Sequence, residues 1–465
     1  MANRTAKEWE ALLYKNETVA DTMPDQLAAA QEFCEGYKLF LDRAKTEREA
    51  AAYSEELLTE AGYKPFVPGM ALKPGDKVYR IEHKKCVVAA TIGTKPLEQG
   101  FHLGIAHIDA PRLDLRPVPL YEDKDFGYFR THYYGGVRKY QWVAIPLALH
   151  GTVVRADGTT VDIRIGEEPG DPVFCITDLL PHLSAEQNKR ELSDGIRGEE
   201  LNILIGSDAV EDEEIKEKVK LQTMILLHEK YGITEKDFTR AELEIVPATP
   251  ARDIGFDRSM VGGYGQDDRV DAYAALRAEI EVKDPAFTTI CVLADKEEIG
   301  SYGITGMGST YTFDWLRQLC RMQGADDIRA FRASLCLSAD VTAAYDPTWS
   351  SAFEPQNGTY AGRGVAFFKY TGSRGKSGAN DASAEQMGYL TRMMDAAGVA
   401  WQIGELGRID LGGGGTVATE VAHSGIAVVD IGVPVLSMHS PFEVVSKNDL
   451  YMAYRAFSTF IAAKQ

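Results

Sequence analysis

The stretch from Ala294 to Gly300, ADKEEIG, brings four charged residues together directly after the apolar run TTICVLA. That run is typical of a buried strand, and charged side chains at its end need a partner, because burying an unpaired charge is costly. Adjacent glutamates can act as metal ligands or as general acid–base groups in an active site. Glu297 and Glu298 are therefore the first candidates for a chemical role.

Other polar residues also close apolar runs that are typical of strands, or begin a predicted helix. They are His107 and Asp109 in LGIAHID, Asp267 before VDAYAALRAEI, Asp340 in LCLSAD and His439 in GVPVLSMH. Each has an ordinary explanation as a helix cap, a turn former or a hydrogen-bonded core histidine. Open α/β sheets, however, place ligand sites at the ends of strands. Two imidazoles and several carboxylates together predict a site for zinc, manganese or cobalt.

The set contains enough ligands for two metal ions, which lie roughly 3.5–4 Å apart in two-metal sites. His107, Asp267 and Asp340 could hold one ion. Asp267, Glu298 and His439 could hold the other, so that Asp267 bridges the two. No cysteine belongs to the set, which disfavours a closed structural zinc site.

Glu297 is left without a metal in this assignment. Adjacent residues at a strand end point in different directions, so Glu298 can bind metal while Glu297 faces the attacking water. A carboxylate there can take a proton from water and later give it to a leaving amine. Asp109, two residues after His107, would lie on the same side and is suited to fix the tautomer of that imidazole.

A chain of 465 residues is long for a single core, and its sequence pattern changes twice. Residues 5–61 have helical periodicity, and apolar runs that predict strands follow. Residues 112–247 are rich in Tyr, Gly and short strands, with an amphipathic helix predicted from about Glu211 to Tyr231. Beyond Val246, strands alternate with helical patterns. We predict an α/β fold: a three-layer catalytic domain with a mixed central sheet (1–111 and 248–465) and an inserted, mainly-β domain (112–247).

Composition excludes several classes of function. The formal net charge is −19 and the pI is near 5.0, which argues against binding to nucleic acid or to anionic membrane surfaces. The N-terminus has no apolar signal region, and no apolar stretch is long enough to span a bilayer. The six cysteines form no CxxC pair, which favours a reduced, cytoplasmic protein.

Five motifs follow one another along the chain: HIDAPRL, GQDDRVDAYAAL, DKEEIGSYG, LSADVTAAYDP and PVLSMHSPFE. Their order and spacing resemble those of the aminopeptidase I or aspartyl aminopeptidase family of dinuclear metallopeptidases, bacterial branch, over nearly the whole chain. The resemblance implies zinc, or else cobalt or manganese, at two sites, and Glu297 as catalytic base. It implies that the inserted domain serves dimerisation and that dimers build a tetrahedral homododecamer. The implied metal ligands are His107, Asp267, Glu298, Asp340 and His439.

Two further candidates come from the resemblance. His182, in PHLS, matches a histidine that family members send into a neighbouring active site, where it would stabilise the tetrahedral oxyanion; the alternative is a surface histidine. The loop SRGKSGAN resembles a basic loop that contacts acidic substrate side chains, which makes Arg374 and Lys376 candidates; the alternative is a solvated loop. The run Gly412–Gly415 lacks the ending of a phosphate loop, and we expect it to let the backbone approach the metal site or a bound peptide.

The leading hypothesis is therefore a metallo-aminopeptidase that removes the N-terminal residue of peptides with a free N-terminus, with an acidic preference left open. A deacylase or carboxypeptidase of the same architecture would share the metal ligands but recognise a different end of the substrate. A noncatalytic scaffold protein is the alternative from another class. The retention of all five ligands and the base argues against the scaffold.

Overall fold

The computed structural model describes residues 5–464, apart from three side chains near the N-terminus. The helices are α1 (Ala6–Trp9), α2 (Val19–Thr22), α3 (Leu27–Arg43), α4 (Glu47–Glu60), α5 (Lys218–Tyr231), α6 (Gln266–Glu281), α7 (Tyr311–Met322), α8 (Asp327–Ala333), α9 (Ala384–Ala397), α10 (Ala418–His423) and α11 (Lys447–Ile461). The strands of the first half are β1 (Lys64–Pro65), β2 (Lys77–Glu82), β3 (Cys86–Thr91), β4 (Phe101–His107), β5 (Arg112–Asp123), β6 (Phe126–Tyr134), β7 (Leu147–Val154), β8 (Thr160–Ile165), β9 (Asn202–Gly206) and β10 (Ala241–Pro247). Those of the second half are β11 (Arg252–Ile254), β12 (Met260–Gly263), β13 (Thr288–Ala294), β14 (Leu335–Ala339), β15 (Thr342–Ala343), β16 (Val365–Phe368), β17 (Gly372–Ser373), β18 (Trp401–Ile403), β19 (Gly413–Gly414), β20 (Ala427–Gly432), β21 (Pro434–Leu436) and β22 (Glu443–Ser446).

A nine-stranded sheet lies at the centre of the fold, with the order β1-β2-β3-β13-β4-β14-β20-β16-β18. Its four middle strands, β13, β4, β14 and β20, run parallel, whereas β3 and β16 pair antiparallel with them. The predicted α/β class with a mixed central sheet is therefore confirmed. The register pairs Ala294 at the end of β13 with His107 at the end of β4. The residues after Ala294 consequently emerge beside His107 at one edge of the sheet.

Helices cover both faces of this sheet and complete three layers. One face packs against apolar residues of α3, α4, α6, α9 and α11, and the other against those of α7, α8 and α10. The predicted helical region 5–61 is divided into the short helices α1 and α2 and the longer helices α3 and α4, and the last two are separated at residues 44–46. There, the Thr46 hydroxyl accepts a hydrogen bond from the Glu49 amide, and the Glu49 carboxylate accepts one from the Thr46 amide. This capping box starts a new helix in a different direction.

A second sheet is built entirely from strands between Arg112 and Pro247. Its order is β8-β7-β10-β5-β6-β9, all pairs are antiparallel, and it packs on its own apolar core around Trp142. The helix predicted from Glu211 begins only at Lys218. The preceding residues EDEEIKE include five acidic ones, which would repel each other within about two helical turns. Residues 112–247 are called the insert below.

A third sheet, β11-β12-β22-β21-β15, carries residues back toward the edge where β4 and β13 end. The apolar run IAVVDIGVPVLSM, which reads as one strand, is divided between β20 of the central sheet and β21 of this sheet. The division falls after Gly432, where a side chain would collide with the backbone carbonyl of Asp340. The chain therefore bends beside Asp340 and brings His439 to the same edge.

Candidate active site

Asp267 lies at the centre of the site, in the first turn of α6, and two histidines contact its two carboxylate oxygens. His107 Nε2 is 3.2 Å from Asp267 Oδ1, and His439 Nε2 is 3.0 Å from Asp267 Oδ2. His107 and Asp267 are both buried. A carboxylate that faces two imidazole nitrogens in this way has the geometry of a bridging ligand.

Glu298 and Asp340 flank this arrangement on opposite sides. Glu298 Oε1 is 3.5 Å from His439 Nε2, and Asp340 Oδ1 is 4.0 Å from His107 Nε2. The structure thus brings together all five predicted metal ligands. Potential ligand atoms of His107, Asp267 and Glu298 lie within 4.8 Å of one another.

Glu297 belongs to the same cluster. Its Oε2 atom is 4.0 Å from His107 Nε2, and Glu297, His107 and Asp340 form a second group of potential ligand atoms within 4.8 Å. The two glutamates do not end the strand directly: Asp295 and Lys296 intervene, and Glu297–Ile299 forms one 3₁₀ turn. The separate directions of the two side chains therefore come from a helical turn, not from the pleat of a strand.

Asp109 connects His107 to the two glutamates. Its carboxylate is fully buried and accepts hydrogen bonds from the backbone amides of Glu297 (3.1 Å) and Glu298 (3.2 Å). Its Oδ1 atom is 3.3 Å from His107 Nδ1, and its backbone carbonyl is 3.1 Å from the same nitrogen. The pKa of Asp109 lies below its usual range, because the hydrogen bonds with His107 and Tyr134 outweigh the effect of burial.

Excess negative charge dominates the electrostatics of the cluster. Burial raises the pKa of Glu297 to about 7, and the nearby Asp267 carboxylate adds to the effect. Burial and neighbouring carboxylates likewise raise the pKa values of Glu298 and Asp340. A bound cation would relieve this repulsion, since positive charge favours ionised carboxylates.

The histidines respond in the opposite direction. Burial alone would lower the pKa of His439, yet pairing with Asp267 raises it to about 10. The pKa of His107 is also raised, because Asp109 and Asp267 outweigh burial. Burial would raise the pKa of Asp267, but the two histidines bring it below the usual range. Asp267, like Asp109, thus stays ionised.

The donor set fits divalent metal ions. Three buried atoms that point at one another have no hydrogen-bond partner among the described residues: His107 Nε2, Asp267 Oδ1 and Glu298 Oε1. Buried polar atoms are normally satisfied, so such a group needs an explanation. Imidazole nitrogen and carboxylate oxygen are ligands that zinc prefers. These residues therefore fit zinc.

A cleft of about 620 Å³ opens from the cluster. Arg374 and Lys376 both line it, as does Glu405. Lys376 Nζ already lies 3.4 Å from an Asp381 oxygen and 3.7 Å from the centroid of the Tyr370 ring. Arg374 makes no ion pair with any residue between 5 and 464. The apolar part of the wall includes Phe368, Leu406 and Met438.

All four glycines of the run line the cleft, and two of them also pack closely on neighbouring loops. Side chains at Gly412 and Gly413 would collide with backbone atoms of Leu406 and Gly372, so these glycines pack on neighbouring loops of the chain. β19 pairs with β17 at this point, which joins the run to the basic loop. Gly415 lines the cleft and has open space where its side chain would stand.

His182 does not line this cleft. It is exposed and lies in an irregular segment of the insert, next to the exposed Leu179, Leu180 and Leu183. Within the described part of one chain, no hydrogen bond or ion pair joins it to the cluster.

Sequence reasoning missed Glu443, at the start of β22. Its carboxylate is buried and accepts hydrogen bonds from the backbone amides of Gln266 (2.6 Å), Asp267 (3.2 Å) and His439 (2.8 Å). Burial, together with Asp267, raises its pKa to about 8. Glu443 therefore fixes the backbone at two predicted ligands. The only sequence feature that could have identified Glu443 is its position four residues after His439, in the motif PVLSMHSPFE.

Comparisons with known proteins point to one family. The family model of the aminopeptidase I zinc metalloproteases (M18) matches residues 40–461. A probable M18 family aminopeptidase 1 of Clostridium acetobutylicum is 48% identical over 433 residues, covering 91% of this chain and 93% of the relative. A crystal structure of an M18 aminopeptidase from Thermotoga maritima is 41% identical, with a TM-score of 0.92 and coverage of 97% and 99%. The S. cerevisiae mApe1 dodecamer, 19% identical over 94% of this chain and 97% of that chain, shares the fold with a TM-score of 0.74.

Proposed function

The chain belongs to the M18 family of aminopeptidase I zinc metalloproteases and is a metallo-aminopeptidase, and from this premise we propose which residues carry out the reaction. His107, Asp267 and Asp340 would hold one zinc ion, and Asp267, Glu298 and His439 would hold a second. Glu297 is the general base and then the general acid. The observation that carries the proposal is the contact of both imidazoles with the two oxygens of one buried carboxylate, Asp267.

Zinc held by these residues would polarise the scissile carbonyl and make water more acidic. Glu297 takes the proton of the attacking water and passes it to the leaving amine. Burial raises the pKa of Glu297, whereas a bound cation would favour its ionised form, which is the form that accepts a proton from water. Asp109 holds the Glu297 amide and the His107 ring, so the base keeps its position relative to the metal ligands.

The cleft beside the cluster takes the side chain of the N-terminal residue. We propose that Arg374 gives it an acidic preference, because this guanidinium faces the cleft without an ion pair among the described residues. Lys376 contributes less, since Asp381 and Tyr370 already engage it. Asp430, whose pKa burial raises to about 7, lines the cleft and can donate a hydrogen bond to a carboxylate when protonated.

A substrate panel tests both the activity and this preference. With zinc-loaded enzyme, we expect cleavage of peptides that begin with Asp, Glu, Leu or Lys and no cleavage of their N-acetylated forms. We expect Arg374→Ala to lower kcat/KM for Asp and Glu peptides by about 10- to 100-fold, since a charged hydrogen bond contributes about 1.5–3 kcal/mol. Leu peptides should be unaffected. Arg332→Ala, at an exposed arginine away from the cleft, is the control.

Cleavage of the acetylated peptides would instead favour a deacylase or carboxypeptidase of the same architecture. Equal losses for Asp and Leu peptides in the Arg374 variant would contradict a role in side-chain selection. Absence of any zinc-dependent hydrolysis would favour the scaffold alternative.

The insert is proposed to be a dimerisation domain, and the assembly a tetrahedral homododecamer built from dimers. Helix α5 of the insert exposes Leu221 and Ile225, one helical turn apart, together with Leu226. Contiguous exposed apolar surface of this kind is typical of protein interfaces. The dodecamer described for S. cerevisiae mApe1 has the same fold.

His182 is proposed to complete the active site of a neighbouring subunit as an oxyanion donor. It is exposed, and its flanking leucines form an apolar segment suited to docking. We expect His182→Ala to lower kcat by about 10²–10³-fold, the usual effect of losing one such donor. His423→Ala, at an exposed histidine on α10, should keep full activity.

Complementation tests whether His182 acts in trans. Assemblies reformed from a mixture of His182→Ala and Glu297→Gln chains should regain activity that neither variant shows alone, because a subunit with Glu297 can receive His182 from its neighbour. A His182→Ala enzyme with normal kcat, or a mixture that regains nothing, would contradict the proposal.

No helix between residues 5 and 464 has the length and apolar character required to cross a membrane. The six cysteines are all free thiols. We propose that the enzyme works in the cytoplasm, where thiols remain reduced.

A further inference from the structure

The Tyr- and Gly-rich end of β6 reaches out of the insert into the active site. The Tyr134 hydroxyl, which is largely buried, donates a 2.8 Å hydrogen bond to Asp109 Oδ2. Two residues later, the Gly136 carbonyl oxygen lies 3.1 Å from His439 Nδ1. Residues 134–136 are called the YGG segment below. It therefore contacts groups on both sides of Asp267.

On the first side, the segment acts through Asp109. That carboxylate contacts His107 Nδ1 and accepts hydrogen bonds from the backbone amides of Glu297 and Glu298. Burial and the adjacent Asp109 raise the pKa of Tyr134, so its hydroxyl stays protonated and remains a donor. The Arg112 guanidinium carbon lies 3.9 Å from the centroid of the Tyr134 ring, a cation–π contact that fixes the position of the ring.

On the second side, the Gly136 carbonyl contacts the metal-binding histidine itself. An acceptor at Nδ1 keeps the proton on that nitrogen and leaves Nε2 free as a ligand, directed at Asp267. His439 sits on a loop after β21 with a positive φ of 63° and is only partly buried. Among the described residues, Gly136 provides the one hydrogen bond to the Nδ1 side of this ring.

The two glycines allow this close approach. A Cβ atom at Gly136 would stand 2.7 Å from His439 Nδ1, closer than any ordinary contact. A Cβ atom at Gly135 would stand 3.3 Å from Glu298 Oε2, and Gly135 has a φ of +73° that other residues rarely adopt. The backbone of the insert thus packs directly on two predicted ligands of the second zinc ion.

We propose that the YGG segment is a positioning element for both metal-binding histidines, so that the insert determines how tightly the site holds zinc in addition to any role in assembly. The proposal rests on the metal ligands assigned under the proposed function. It predicts that disturbing the segment loosens zinc even though none of its residues is a ligand. Loss of outer hydrogen-bond partners of this kind typically costs 10–100-fold in metal affinity.

The test compares Tyr134→Phe with Tyr133→Phe, a half-exposed neighbour on β6 whose ring lies against Lys139 and which has no hydrogen bond to the cluster among the described residues. Zinc release to a coloured chelator and the visible spectrum of the cobalt-substituted protein are both measured. We expect Tyr134→Phe to bind zinc about 10–100-fold more weakly and to shift the cobalt bands, while Tyr133→Phe matches the wild type. Tyr134→Phe is nearly isosteric, and circular dichroism checks that it is folded.

A second pair tests the other contact. Gly136→Ala should weaken zinc binding and shift the cobalt bands, whereas Gly206→Ala, a glycine on β9 of the insert with room for a methyl group, should change neither. Wild-type zinc affinity and spectrum in both Tyr134→Phe and Gly136→Ala would overturn the proposal. If the wild type binds zinc but cleaves no peptide, the proposed function fails, while zinc release still decides the role of the segment.

Discussion

Replacing Glu297 with glutamine is expected to lower kcat by about 10²–10⁴-fold, the usual contribution of general acid–base catalysis, while the protein keeps its zinc. Glutamine has nearly the same shape but cannot accept the proton of the attacking water. The Glu297 amide, which Asp109 holds, is unchanged by the substitution, so the turn that carries both glutamates should keep its position.

The measurement is turnover of a peptide with a free N-terminus, beside the zinc content of the same sample. Glu60→Gln, an exposed glutamate at the end of α4, is the matched control and should behave as the wild type. Full turnover in Glu297→Gln would remove Glu297 from the mechanism. Loss of zinc would show that Glu297 is a metal ligand. Its carboxylate is close enough to His107 and Asp340 for that role.

Replacing Glu298 with alanine should cause the loss of zinc, whereas Glu297→Gln should keep it. Its buried Oε1 atom lies 3.5 Å from His439 Nε2 and has no hydrogen-bond partner among the described residues. Removing a ligand should cost more than the 10–100-fold seen for outer partners, so we expect zinc content to fall by about one ion per chain and activity by more than about 10²-fold.

Excess zinc should restore part of the activity of Glu298→Ala, because the other ligands remain. The same addition should do nothing for Glu297→Gln, which lacks the base. A Glu298→Ala protein that retains the zinc content and affinity of the wild type would contradict the ligand assignment.

The residues of the cluster could be predicted because most of them follow apolar strands, which are visible in the sequence, and Asp267 begins a helix whose pattern is equally visible. Parallel pairing of β4 with β13 then places His107 beside the turn that contains both glutamates. For His439, the sequence predicts only that it follows a strand, not that the chain bends to bring it to the cluster. The bend after Gly432, which moves the chain from the central sheet to the third sheet, depends on contacts with Asp340 far away in sequence.

Apart from Asp109, the residues that support the cluster could not be predicted in the same way. Glu443 binds backbone amides, and nothing in its own neighbourhood shows which amides will face it. Tyr134 and Gly136 belong to the insert, whose sequence pattern says nothing about the catalytic domain. Their contacts with Asp109 and His439 form only when the sheet of the insert packs against the rest of the fold. Such contacts join residues up to 303 positions apart, beyond the reach of any local periodicity.

The two adjacent glutamates are proposed to divide the work unequally, and the zinc content of Glu297→Gln, measured on the sample that has lost turnover, decides whether Glu297 is the base or a ligand. Our assignment predicts the zinc content of the wild type, two ions per chain, in a protein whose kcat has fallen by about 10²–10⁴-fold. A sample that has lost zinc together with turnover would contradict it, because Glu297 would then be a metal ligand and not the base.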